Sequence, residues 1–169
     1  MTPETVLGMP LPTFTTLHVA ISLIAIASGL IVVLGMLVAK PLNALTAIFL
    51  GTTVLTSLTG FLFPFKGVTP GIILGILSMV VLLGAIVARY ALHLAGPWRW
   101  IYVVCSVLAL WFNVFVFIVQ SFEKVPALHA LAPTQSEPPF FIAQLGALIL
   151  FIILGILAVK KFHPTPVPA

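Results

Sequence analysis

Charge is what this sequence has least of. Only 6% of its 169 residues are Asp, Glu, Lys or Arg, whereas 62% are hydrophobic and the mean hydropathy is +1.31. A soluble domain carries about a quarter charged residues, because its surface faces water. Seven basic and three acidic side chains cannot cover such a surface. We therefore expect lipid to cover most of this chain.

Acidic side chains are absent from every long apolar segment. The three that exist, Glu4, Glu123 and Glu137, fall outside those segments. Carboxylates inside a membrane commonly carry proton relays, so carboxylate-coupled transport is disfavoured. The sequence also has no GxSxG, HExxH, Walker or dinucleotide motif, which disfavours intramembrane hydrolysis and nucleotide-driven transport. The composition therefore favours a protein that is not an enzyme.

Metal and nucleic-acid partners are also disfavoured. Cys105 is the single cysteine, so no internal disulfide can form. No group of Cys, His and carboxylate residues has zinc-like spacing, and we expect no metal site. The net charge of +4 comes from Lys and Arg scattered singly along the chain, without the basic patch that nucleic-acid binding requires.

Five apolar segments are long enough to cross a membrane. A bilayer core of about 30 Å needs roughly 20 apolar residues in a helix, and helices satisfy their own backbone polar groups in hydrocarbon. The sequence predicts an all-α fold, with residues 1–169 forming one polytopic bundle of five transmembrane helices. The expected spans are roughly 14–39, 42–63, 70–94, 98–122 and 140–159, with an extracytoplasmic loop at about 123–138.

The basic residues predict the orientation of this bundle. Lys and Arg near the ends of spans collect on the cytoplasmic side. Here five lie on one side and two on the other, which predicts an N-terminus outside and a C-terminus in the cytoplasm. The larger set is Lys40, Arg89, Arg99, Lys160 and Lys161, and the smaller set is Lys66 and Lys124.

Polar residues recur at helical spacing in two of the segments. In the fourth, Ser106, Asn113 and Gln120 repeat every seven residues and share one face. The second contains TTVLTSLTG, in which Thr56 and Thr59 lie towards the outer end. Such groups line a ligand site or pathway, or they hydrogen-bond between closely packed helices, and both interpretations stay open.

The histidines and arginines suggest two further sites. His18 faces other helices from near the outer surface, but bis-histidine haem needs a second imidazole at matching depth, and no other span supplies one. No cofactor is therefore predicted, with haem kept as a minor alternative. Arg89, His93 and Arg99 lie near the predicted cytoplasmic surface and are candidates for an anionic headgroup site, unless Arg89 simply extends to the lipid headgroups.

Three segments, TSLTGFLFPF, WRWIYV and VPALHALAPTQSEPPF, resemble those of a family of small, uncharacterised polytopic membrane proteins of bacteria. The resemblance extends over most of the chain. It implies a multi-pass protein of the cell inner membrane, and it implies no activity and no site residue.

Three functions from different classes are consistent with these observations. The leading hypothesis is a non-enzymatic membrane protein in the lipid bilayer that packs with a membrane-protein partner or a second copy of itself, or binds a lipid-like amphiphile. The alternatives are a haem- or quinone-binding redox subunit and a small transporter or channel. If a small molecule binds, we expect an apolar pocket with a few polar groups in the outer half of the bundle. Its predicted residues are His18, Thr56, Thr59, Asn113 and Gln120, with His129 at the rim.

Overall fold

The computed structural model describes residues 5–64, 67 and 69–164, and these form a helical bundle with a short N-terminal hairpin. Glu4 and Lys66, on which the predicted orientation partly rests, lie outside the described residues. The elements are β1 (Thr5–Val6), β2 (Met9–Pro10), α1 (Leu11–Met36), α2 (Asn43–Gly60), α3 (Pro70–Ile86, continued by a π-helical turn at Val87–Ala91), α4 (Trp98–Lys124), α5 (Pro126–Leu131) and α6 (Pro138–Lys161).

Five of these helices, all except α5, are long and apolar enough to cross a membrane, which confirms the predicted number of apolar helices. The helix boundaries differ from the predicted ones by a few residues. Helix α1 begins at Leu11, and α6 begins at Pro138. Both helices have proline in the first turn, where a backbone N–H has no partner within the helix. Proline is therefore favoured at this position, and the helix begins earlier than predicted.

Helix α4 is the centre of the bundle and packs against α1, α2, α3, α5 and α6. Its first half carries the main apolar core, where Tyr102, Val103 and Leu110 are fully buried. The ends of α1 and α6 contribute Met36 and Phe162 to the same cluster. The tightest packing therefore lies at the end of the bundle where α4 begins and α6 ends.

The predicted loop at 123–138 is ordered. It contains α5, none of whose residues is buried. After α5, the side-chain amide of Gln135 donates a hydrogen bond to the Val119 carbonyl at 3.0 Å. The loop is thereby attached to the last turns of α4.

Close approach of three helices depends on Gly29. A Cβ atom at this position would lie 2.7 Å from Leu110 Cδ1 and 2.7 Å from the Phe49 ring. Phe49 and Leu110 are fully buried, so neither side chain has space to move away. The absence of a side chain at Gly29 therefore lets α1 contact α2 and α4.

We expect Gly29→Ala to lower the free energy of unfolding by about 1–3 kcal/mol, because an added methyl group overpacks a filled core. The matched control is Gly51→Ala, since a Cβ at Gly51 meets no atom within 4 Å. That change should be neutral, or stabilising by up to about 1 kcal/mol, because alanine favours the helix. Thermal unfolding in a mild detergent measures both, and equal effects would contradict the packing argument.

Candidate functional site

Helix α2 is the helix to which the side-chain hydrogen bonds between helices are made. Within the described residues, every hydrogen bond between side chains of different helices has one partner on α2. A further bond joins Arg89, in the π-helical turn, to Asn43 at the start of α2. The helix-to-helix pairs are His18–Thr59 at 2.8 Å, Ser57–Ser78 at 3.3 Å, Tyr102–Thr46 at 3.5 Å and Asn113–Thr53 at 3.3 Å.

Most threonines of α2 place a hydroxyl within hydrogen-bond distance of a carbonyl of their own helix. Thr53 and Thr59 donate to carbonyls four residues earlier, each at 2.7 Å, and Thr56 does so at 2.9 Å. A hydroxyl has only one hydrogen to donate, so a threonine bonded in this way accepts from a neighbouring helix. With the Thr59 hydrogen on the Leu55 carbonyl, His18 is assigned the tautomer in which the Nδ1–H donates to Thr59.

The repeat on α4 points inward at Asn113 and outward at Gln120. Asn113 is half-buried and donates to Thr53, as expected from the threonine face of α2. The prediction that Gln120 also faces the bundle is wrong, because Gln120 is exposed and donates to Glu123 on its own helix at 3.3 Å. An α-helix drifts by about 20° per seven residues, so the face of Ser106 has rotated out of the bundle two repeats later.

The predicted outer pocket is only partly assembled. His18 and Thr59 bond each other, and the His18 ring packs edge-on against Phe63 with centroids 5.1 Å apart. Thr56 bonds to its own helix, and His129 is exposed on α5. Among the described residues, neither Gln120 nor His129 forms a hydrogen bond or a ring contact with the His18–Thr59 pair. This pair therefore acts as a packing contact between α1 and α2.

Arg89 is half-buried and bonds to the connection between α1 and α2. Its Nη2 atom donates to the Asn43 side-chain oxygen at 2.7 Å and to the Pro41 carbonyl at 3.2 Å. The guanidinium carbon lies 5.1 Å from the centre of the Tyr102 ring. Arg89 thus joins the α1–α2 connection to α4, while His93 is exposed at the end of the π-helical turn.

Arg99 contacts a different part of the molecule from Arg89. Its Nη1 atom donates to the carbonyls of Val159 and Phe162 at 2.9 and 2.7 Å. These carbonyls belong to the end of α6, where cations stabilise the helix dipole. The three predicted headgroup residues therefore do not meet in one place. Arg89 is bonded to the start of α2, Arg99 is bonded to the end of α6, and His93 is exposed.

An apolar groove of about 190 Å³ lies between α4 and α6, and the sequence did not predict it. Beside it, two buried polar atoms have no hydrogen-bond partner in the described part of the chain, the Trp111 indole nitrogen and the Gln144 side-chain oxygen. The amide nitrogen of Gln144 does donate, to the Phe115 carbonyl at 3.2 Å. The groove is lined by Val104, Val107, Leu108, Trp111, Leu148, Phe151, Ile152 and Gly155.

The unpaired atoms indicate that α4 and α6 do not close completely on each other. A buried donor or acceptor without a partner costs about 1–3 kcal/mol, so native structures contain few. Helix α6 is also the least buried of the five long helices. One signal was present in the sequence: Gln144 is an isolated amide in an otherwise apolar segment.

The turn before α6 is held by the carboxylate of Glu137. It accepts hydrogen bonds from the Thr134 hydroxyl at 2.9 Å and from the backbone N–H groups of Thr134 and Ser136 at 3.2 and 3.1 Å. Desolvation raises the pKa of Glu137, but the hydrogen bonds together outweigh it and hold the pKa below its usual value. The carboxylate stays ionised at neutral pH and organises the loop.

Metal-binding groups are few. Among the described residues, no set of three or more His, Cys, Asp and Glu side chains is close enough to hold a metal ion.

The contact between His18 and Thr59 can be measured by a double-mutant cycle with His18→Leu and Thr59→Val. We expect a coupling free energy of about 0.6 kcal/mol, the average for a hydrogen bond between membrane helices. Unfolding in detergent provides the four stabilities. The control cycle pairs His18→Leu with Thr52→Val, because the Thr52 hydroxyl bonds only within α2. Additivity in both cycles would contradict the contact.

The chain has no match among protein-family models, curated proteins or solved structures. The similarity of its three segments to small bacterial membrane proteins therefore stays an expectation from sequence. Any function must be argued from the geometry of the chain itself, whose five apolar helices are compatible with a multi-pass membrane protein.

Proposed function

We propose that this is a non-enzymatic protein of the inner membrane that binds a lipid-like amphiphile in the groove between α4 and α6. The observation that carries the proposal is the groove itself, an apolar volume that the two helices leave unfilled. The proposal keeps the class of ligand expected from the sequence and moves the site away from His18 and Thr59, whose side chains bond each other.

The lining of the groove favours an apolar occupant. Its volume of about 190 Å³ is several times that of a water molecule, but its walls are aliphatic and aromatic. Water needs two to four polar partners to stay in a cavity, and apolar cavities remain dry or take up apolar molecules. In a bilayer, the available molecules of that kind are hydrocarbon chains.

Incomplete packing of α6 supports the same function. Phe151 is buried in the apolar core, but Ile152 beside it is 52% exposed, so a bound chain would supply dispersion contacts that this part of α6 lacks. A ligand of this kind stabilises the folded protein by mass action, because the unfolded chain has no groove.

We propose the orientation predicted from the basic residues, with the N-terminus outside. Reporter fusions after Glu137 and after Lys161 test it. The first should report a periplasmic position and the second a cytoplasmic one, because the end of the bundle with Lys160 and Lys161 carries the excess of positive charge. A cytoplasmic signal after Glu137 would overturn the orientation without affecting the groove.

Quenching of Trp111 fluorescence tests occupancy of the groove. In a variant with Trp98→Phe and Trp100→Phe, Trp111 is the single tryptophan and lies in the groove wall. We expect phosphatidylcholine with brominated chains to quench it saturably in detergent. Gly155→Phe should fill the groove and weaken the apparent affinity about tenfold.

The matched control is Gly146→Phe on the same helix, where an added Cβ meets no atom within 4 Å. It should leave quenching unchanged. Thermal unfolding confirms that both variants fold. Equal quenching in the two variants would mean that lipid reaches Trp111 only from the bulk, and the proposed function would then be wrong.

A further inference from the structure

The groove leads at one end towards a group of basic side chains, which we call the basic cluster: Arg99, Lys160 and Lys161. We infer that the amphiphile is an anionic phospholipid, with its headgroup on the basic cluster and one acyl chain in the groove. This inference rests on the proposed function, since it assigns a headgroup to the same bound molecule.

The basic cluster is assembled by hydrogen bonds between the two helices that form the groove. Arg99, in the first turn of α4, donates to the Val159 and Phe162 carbonyls at the end of α6. Lys160 and Lys161 lie between these two acceptors in the chain. The same bonds therefore hold the helix ends together and place Arg99 at the same end of the bundle as the two lysines.

The described residues supply no carboxylate to this cluster. Glu123 and Glu137 lie at the opposite ends of α4 and α6, and a helix of 27 residues such as α4 is about 40 Å long. The α6 carbonyls that Arg99 contacts are neutral, Lys160 and Lys161 are exposed, and Arg99 is half-buried. An anion from outside the chain would complement this charge.

Along both helices, the groove lies at the depth below the basic cluster that a lipid chain occupies. On α4, the lining begins at Val104, five residues after Arg99, and ends at Trp111, twelve residues after it. On α6, Gly155 and Leu148 lie five and twelve residues before Lys160. At 1.5 Å per residue, the groove extends from about 8 to about 18 Å below the basic cluster.

This is the region that an acyl chain occupies when its headgroup is at the membrane surface, since half of the hydrocarbon core is about 15 Å thick. A phosphate at the level of Arg99 and a chain beside Val107 therefore belong to one molecule. Basic pockets between helices are a known way to recognise anionic headgroups, because each nearby Lys or Arg adds electrostatic attraction.

The test compares two lipids with identical brominated chains, phosphatidylglycerol and phosphatidylcholine, by quenching of Trp111 in the single-tryptophan variant. We expect phosphatidylglycerol to bind about tenfold more tightly. Lys160→Gln with Lys161→Gln should remove that preference and leave phosphatidylcholine binding unchanged. Lys40→Gln is the control, because it removes positive charge from the α1–α2 connection, which contributes no residue to the groove lining.

The outcomes separate this inference from the proposed function. Equal affinities for the two lipids, both weakened by Gly155→Phe, would overturn the headgroup assignment and keep the groove. An equal loss of preference in Lys40→Gln and in the lysine pair would also overturn it, because the attraction would then come from the whole surface. If Gly155→Phe weakened the binding of neither lipid, the groove would not be the binding site, and the proposed function would be wrong.

Discussion

The structure depends on one requirement, that polar side chains away from water find hydrogen-bond partners. Helix α2 meets this requirement in two ways. Thr53 and Thr59 donate to carbonyls of their own helix, so their hydroxyl hydrogens have partners even beside lipid. Their oxygens remain free to accept from neighbours, which is how Asn113 and His18 are bound. A helix with this chemistry can be the most polar of the five long helices and still pack against its neighbours.

The two arginines stabilise the end of the bundle where the apolar core is densest. Each binds backbone carbonyls at the end of a helix or in a connection, at Pro41 for Arg89 and at Val159 and Phe162 for Arg99. Both contacts join elements far apart in the sequence. The opposite end is held by the His18–Thr59 bond and by aromatic contacts such as the edge-on pair of Phe122 and Phe140 at 5.5 Å. The arginine contacts are therefore confined to one end of the bundle.

The five apolar helices could be predicted because hydrophobic length alone identifies a helix that can cross a bilayer. The inward position of Asn113 followed from its spacing, but the exposure of Gln120 did not, since helical drift accumulates over two repeats. The groove could not be predicted. Its existence depends on how far α6 lies from α4, and neighbouring residues on one helix carry no information about that distance. The acceptors of Arg89 could not be predicted for the same reason, because they lie in the α1–α2 connection and at the start of α2.

The attachment of α6 has a mechanical consequence. It is held to α4 at one end by Arg99 and near the other by Gln144, which donates to Phe115, with the groove between these two points. Between these two points, no side-chain hydrogen bond joins α6 to α4 among the described residues, so apolar contacts alone hold the middle of α6. The groove is also open to the outside of the bundle, because Leu108 and Ile152 in its walls are exposed. A chain bound there as proposed would therefore enter sideways from the bilayer, without passing through water and without any loop having to open.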